Sequence, residues 1–562
     1  MFDENSVGTK YIPKSISDVI DKIKLSGLVL YGAGHWGGVA ESVFKALAIT
    51  PRAICDIDCL KQGRFFKDGK VSESGVPILS LDEATELYPQ AIYMVTVMMP
   101  GAGSYASDDA LILLLKKRGL SAIGFDFQRY VFLLEGAFDE IEIPPEEEGN
   151  KFKAEHLNNI VIFHHMSNSG SMLFGTLLNG HKNILDVPML GHWVQIEGLC
   201  DHRLTALSKK ELVVEIADLL RNYLATEQNV SRLRSSHCNE YGEQEERILV
   251  DPRKFIGELY ALISECEHIS GVFLMKAIYA AYANSIGKKH ESGEEYWMLY
   301  DRHRVNFAGL DRAILSENFK KVEYLFIIRE PVQHLNSLLK RFIVDSFPGA
   351  RLRLTMGSSF GYLTVLRSDM GVPLELSAET KDMPVKIVRF EDLKTNLEGT
   401  LRAVCAALDI LFDECLLETS VNGIPVYCPA SWKKGDKTVV SARDTTALNR
   451  RDFSLFMTSY DIFRLNLAFR RFKLAMGYDC DVPDPSDFST QFLRELYSLP
   501  FKFEETIDMA GKEALERERL LPGEQVGCHD NIVELFIENI TREDKPEFFS
   551  EILKPLEAEQ YE

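Results

Sequence analysis

Two short stretches hold residue types that can grip an anion. In VIFHHMSNSGSMLFGTLLNGH, residues 161–181, an apolar run ends in His164 and His165, and Ser169, Gly170 and Ser171 then open a helical pattern. Backbone N–H groups and hydroxyls at a helix N-terminus favour negative charge, and glycine permits close approach. In YLFIIREPVQHLNSLLK, residues 324–340, an apolar strand ends at Arg329, Pro331 forces a turn, and Ser337 follows eight residues after the arginine. Arginine offers a planar fork to phosphate, and serine adds a hydroxyl. Taken singly, each is also an ordinary strand-turn-helix, with Arg329 paired to Glu330 or to a helix end. The first stretch lacks Gly-Lys-Ser/Thr, so phosphoryl transfer from ATP has little support.

A third piece, VKIVRFEDLKTNLEGTLRAVCAALDI at 385–410, reads as a strand, an acidic turn and a helix with Leu397, Leu401, Val404 and Leu408 on one buried face. The order of loop, strand-Arg-x-Pro…Ser and Arg-Phe-Glu-Asp-Leu helix resembles sulfotransferases that use 3′-phosphoadenosine 5′-phosphosulfate (PAPS). The resemblance spans about residues 155–475. It implies that Ser169, Gly170, Ser171 and Met172 hold the 5′-phosphosulfate, and that Arg329 and Ser337 hold the 3′-phosphate. It matches His181 to the family's Leu-Leu-x-x-His-Pro-x-Ile and puts Arg302 of YDRHRVNFAGL where the family has lysine. Lys433, Lys434 and Lys437 of WKKGDK resemble a late basic loop that closes over the 3′-phosphate; a solvated turn is the other reading.

The chain departs from that family at two points. Asn168 stands where a Lys or Arg normally neutralises charge building on the bridging oxygen, and Met172 stands where Ser or Thr is usual. Asparagine donates hydrogen bonds but brings no full charge. His165 enters the loop directly, either beside the phosphosulfate or packed in the core with His164. The acceptor needs a general base, and LDVPMLGHWVQIEGLC offers His192 first and Glu197 second, a structural role being the alternative.

A further loop, VLYGAGHWGG, gives Gly32-x-Gly34-x-x-Gly37 between an apolar strand and a helical pattern, with Asp56 ending the next apolar run. This is the arrangement that seats a diphosphate on backbone N–H groups and a ribose on the acid. The following CDIDCLKQGRFFKDGKVSESGVPILSLDEA resembles the N-terminal Rossmann-like domains of bacterial glycan-modifying enzymes. That resemblance implies NAD(P) or a nucleotide-sugar as ligand, with a packing or assembly role open beside it.

The elements that must position these residues alternate short apolar runs with helical stretches, which predicts an α/β fold with parallel sheets. The expected organisation is a Rossmann-like domain over 1–135, an acidic linker over 136–154, a P-loop-like sulfotransferase α/β domain with helical insertions over 155–480, and a helical acidic tail over 481–562. Phe255, Leu259, Leu262, Ile263 and Cys266 share one helical face in the insertion. A net charge of −21 over 562 residues argues against a nucleic-acid binder. The N-terminus has no signal-peptide pattern and no apolar run is long enough to span a bilayer. Ten cysteines without paired spacing read as reduced, mostly buried thiols of a cytoplasmic protein, with no metal set.

The expected function is transfer of a sulfonyl group from PAPS to a hydroxyl or amine, on a small molecule or a glycan or glycolipid precursor. A non-catalytic nucleotide-binding protein is the second reading. An NAD(P)-dependent enzyme is the third, though nothing after Gly37 supplies a Tyr-x-x-x-Lys pair.

Overall fold

The computed structural model describes residues 16–33, 35–67, 70–96, 109–124, 141, 143–144, 150–165, 169–188, 190, 208–220, 223–225, 237–303, 309–340, 385–429, 438–445, 453–499, 501–503 and 553–556. The chain divides into two compact units, Met1–Lys151 with Trp193–Leu233 and Leu249–Lys288, and Phe152–His192 with Arg234–Ile248 and Lys289–Glu562. The helical segments around Lys209–Leu219, Pro252–Ile263 and Gly271–Ser285 thus belong with the N-terminal residues.

The first unit carries β1 (Leu28–Tyr31), β2 (Ala53–Cys55), β3 (Phe65–Lys67), β4 (Lys70–Ser72), β5 (Val76–Leu79), β6 (Ile92–Val95) and β7 (Ser121–Gly124) in the order β4-β3-β5-β2-β1-β6-β7. From β5 to β7 all neighbours are parallel, and β3 and β4 form an antiparallel edge. Both faces are covered, which is why β1 is a continuous apolar run. Leu28 and Leu30 pack with Val19, Ile20 and Ile23 of the helix Ile16–Ser26, while Val29 and Tyr31 pack with Ala84 and Leu115. Strand order reverses at β1, between β2 and β6. In the same unit Asp251 and Pro252 start the helix Pro252–Ile263, which buries Phe255, Leu259 and Ile263 as its periodicity predicts, with Leu262 half-buried. Its buried Glu258 pairs with Lys151 at 2.9 Å.

The second unit is built on β8 (Asn159–His165), β9 (Ile184–Asp186), β10 (Trp297–His303), β11 (Lys321–Ile328) and β12 (Val385–Arg389). Two small hairpins follow, β13 (Ser420–Val421) with β14 (Ile424–Pro425), and β15 (Cys428–Pro429) with β16 (Val439–Val440). A last strand, β17 (Leu553–Pro555), joins the large sheet beside β12. The order is β17-β12-β11-β8-β10-β9 and every pairing is parallel. The α/β class read from the alternation is the class observed. The order reverses at β8, flanked by β11 and β10, and the loop at its C-terminal end runs into the helix Ser171–Asn179.

The helix Pro331–Leu339, which follows Arg329, is held from below. Its Val332, Leu335, Leu338 and Leu339 share one core with Leu465, Leu467 and Phe469 of the helix Ser459–Ala475 and with Leu493, Leu496 and Tyr497 of Thr490–Ser498. Of the C-terminal tail, Thr490–Ser498 is the helix its pattern predicts, and Leu553–Pro555 is a strand in a stretch that reads as helix-forming. No helix among the described residues is long and apolar enough to cross a membrane. The eight described cysteines are all free thiols, but only Cys55, Cys238 and Cys405 are fully buried.

Candidate active site

The C-terminal ends of β8, β11 and β12 converge on one aromatic ring. Gly170 caps the helix Ser171–Asn179 at φ 101°, a left-handed conformation that disfavours any residue with a Cβ. A Cβ there would fall 2.2 Å from Cδ2 of Phe390, the first residue of the short helix after β12. Ser169 is buried, Ser171 half-buried, and Met172 exposed on the outer side of the helix start. The guanidinium of Arg329, immediately after β11, lies 4.8 Å from the centroid of the same ring. Phe390 therefore sets the spacing between the loop glycine and the arginine.

Acidic groups hold this end of the sheet together. Glu330 caps the helix Pro331–Leu339 by accepting from Gln333 N at 2.8 Å, and it pairs with Lys473 at 2.8 Å. Glu391 accepts from Glu330 N at 3.0 Å and from the Tyr478 hydroxyl at 2.9 Å. Arg389 forks onto both oxygens of Asp392 and donates to Met476 O and Gly477 O. Burial pulls the Arg329 pKa down, against the neighbouring Glu391, Glu330 and Tyr478, which hold its charge. Burial also raises Glu391 above the usual carboxylate range. Ser337 sits two turns along the helix from Arg329 and is half-buried.

The two histidines of β8 have different surroundings. His164 is fully buried, with the rings of Tyr324 and Phe326 on β11 nearby, and burial, then Arg302 and His165, holds its pKa well below 6.5. It is a neutral core residue. His165 is hydrogen-bonded through Nε2 to Asp301 of β10. Arg302 is buried on β10 in register with His164. His181 donates from Nε2 to Leu411 O at 2.8 Å, and its Nδ1 accepts from Asn183 N at 3.1 Å. That is a fixture of the turn before β9.

In the first unit, a Cβ on Gly37 would meet Gly32 O at 2.0 Å, so the glycine loop folds tightly back on itself. Asp56 accepts from Ala33 N at 2.7 Å and Asp58 N at 2.9 Å and pairs with Lys61 at 3.1 Å. Its carboxylate braces the loop, and these contacts lend no support to the ribose role or to NAD(P) or a nucleotide-sugar as ligand. Gly34, Asn168, His192, Glu197, Lys433, Lys434 and Lys437 lie outside the described residues.

Sequence reading missed Phe390, Asp301 and Lys394. The aromatic in Arg-Phe-Glu-Asp-Leu reads as core, and Asp301 becomes visible only once β10 is laid beside β8.

No family model matches the chain, and no curated protein matches it. Among solved structures it is similar to the sulfotransferase domain from the Synechococcus PCC 7002 olefin synthase, at 16% identity over 50% of this chain and 80% of that one, TM-score 0.22. It is also similar to the sulfotransferase domain from the curacin biosynthetic pathway, at 12% identity over 58% of this chain and 99% of that one, TM-score 0.28.

Proposed function

We propose that the chain is a PAPS-dependent sulfotransferase whose donor site lies at the switch point of the second sheet. The observation that carries this reading is the placement of Gly170 and Arg329 against opposite demands of one ring, Phe390, at the ends of adjacent parallel strands. Such a crevice suits an anionic nucleotide, with N–H groups of the helix N-terminus at one phosphate and the arginine fork at the other. The acceptor hydroxyl or amine attacks sulfur, the bond from sulfur to the bridging oxygen breaks, and adenosine 3′,5′-bisphosphate leaves. The acceptor proton goes to a base. His165, buried and hydrogen-bonded through Nε2 to Asp301, is one candidate. His192 remains the other candidate. A small-molecule, glycan or glycolipid acceptor fits the reading equally.

Titration calorimetry with adenosine 3′,5′-bisphosphate, followed by turnover of labelled PAPS over a panel of acceptors, tests it. Binding that Arg329→Ala weakens by about 10-fold or more, together with transfer, is the expected result. No binding by the wild-type chain would overturn it. Asn168 favours a second reading, a site that holds the nucleotide without turnover, and binding with no transfer to any acceptor would select it.

A further inference from the structure

We propose that Lys394 supplies the second positive charge of the anion site at Gly170 and Arg329, in place of a cation on the loop itself. The inference rests on the reading of that site as a nucleotide bisphosphate site.

Lys394 lies one turn after Phe390 in the helix Phe390–Thr395 and is only 7% exposed. Its ammonium donates to Ala442 O at 2.9 Å and Ser441 O at 3.3 Å, and sits 5.9 Å from the Phe390 centroid. One ring is thus shared by Gly170, Arg329 and Lys394. The carboxylates nearby also have other partners: Glu330 pairs with Lys473, Asp392 with Arg389, and Glu391 accepts from Tyr478 and a backbone N–H, while Glu391 and Glu330 act on Arg329 as well. Asp444 and the Cys428 thiol are the acidic groups that act on Lys394, and burial pushes Cys428 up to about 11, so it stays neutral.

Carbonyl partners leave an ammonium its full charge, and burying it beside a second cation is unfavourable twice over. Burial first, and Arg329 in addition, pull the Lys394 pKa below 10.5. A shared anion offsets both costs. Among the other buried cations described in the unit, Arg464 pairs with Asp461, Lys473 pairs with Glu330, and Arg302 acts on His164 within the sheet.

Calorimetry on the full chain with adenosine 3′,5′-bisphosphate decides the matter. Lys394→Met should bind about 10-fold more weakly, and Lys394→Arg within about threefold of wild type. Wild-type affinity should fall as pH rises through the Lys394 titration, which burial holds below the usual lysine range, while Lys394→Arg stays flat because arginine does not deprotonate there. A lysine that merely tethers residues 441–442 would not produce that divergence. If wild type binds and Lys394→Met binds within about twofold, the inference is overturned and the site reading stands. If wild type does not bind, both fall. Should Lys394→Met fail to fold, coincident pH profiles of wild type and Lys394→Arg overturn it equally.

Discussion

The ring of Phe390 occupies the space that a side chain at Gly170 would need, with Cδ2 2.2 Å from the position of an added Cβ. A side chain at position 170 therefore requires the ring to move.

Gly170→Ala should destabilise the chain by about 2–5 kcal/mol, combining left-handed strain with overpacking against the ring. In a Phe390→Leu background the same change should cost less, by a coupling of about 1–3 kcal/mol. Urea unfolding of the four proteins measures this. Additive effects would mean that the ring does not set the glycine.

Asp301→Asn should leave binding of adenosine 3′,5′-bisphosphate within about threefold while lowering kcat by about 10–100-fold and shifting its pH profile. The shift separates orientation of His165 from general damage. An unchanged kcat would remove His165 and Asp301 from the chemistry.

His164 predicts an acid sensitivity. Its folded pKa lies below its unfolded one, so its stabilising contribution is present above about pH 6.5 and is lost as pH falls. The loss runs at about 1.4 kcal/mol per pH unit until the folded group also titrates. His164→Phe should flatten that part of the profile, read from urea midpoints at about pH 7.5 and pH 5.5. Parallel profiles for the two proteins would refute a neutral, buried His164.

The strands and the two loops were legible because each is an apolar run stopped by glycine, serine or arginine. β1, β8 and β11 needed only that pattern. The contacts that relate them were not legible. Phe390 meets Gly170, 220 residues earlier, and Arg329, 61 residues earlier, and no local periodicity encodes such a meeting. Nothing in the sequence singles out Lys394; only its burial against Ser441 and Ala442 does. Asp56 shows the same limit: its spacing is legible, but the hydrogen bond it accepts from Ala33 N is not.

β17 has a consequence for how the chain comes into being. Val385 finds its partner Leu553 about 170 residues later, so the outer edge of β12 stays bare while that stretch is still being synthesised. A nascent chain at that stage offers an open row of backbone donors and acceptors beside the strand that carries Arg389 and leads into Phe390. Chaperone capture, or strand addition from a neighbouring nascent chain, has its natural target there. A fusion or cut close to residue 553 acts on that edge although it lies far from the site in sequence.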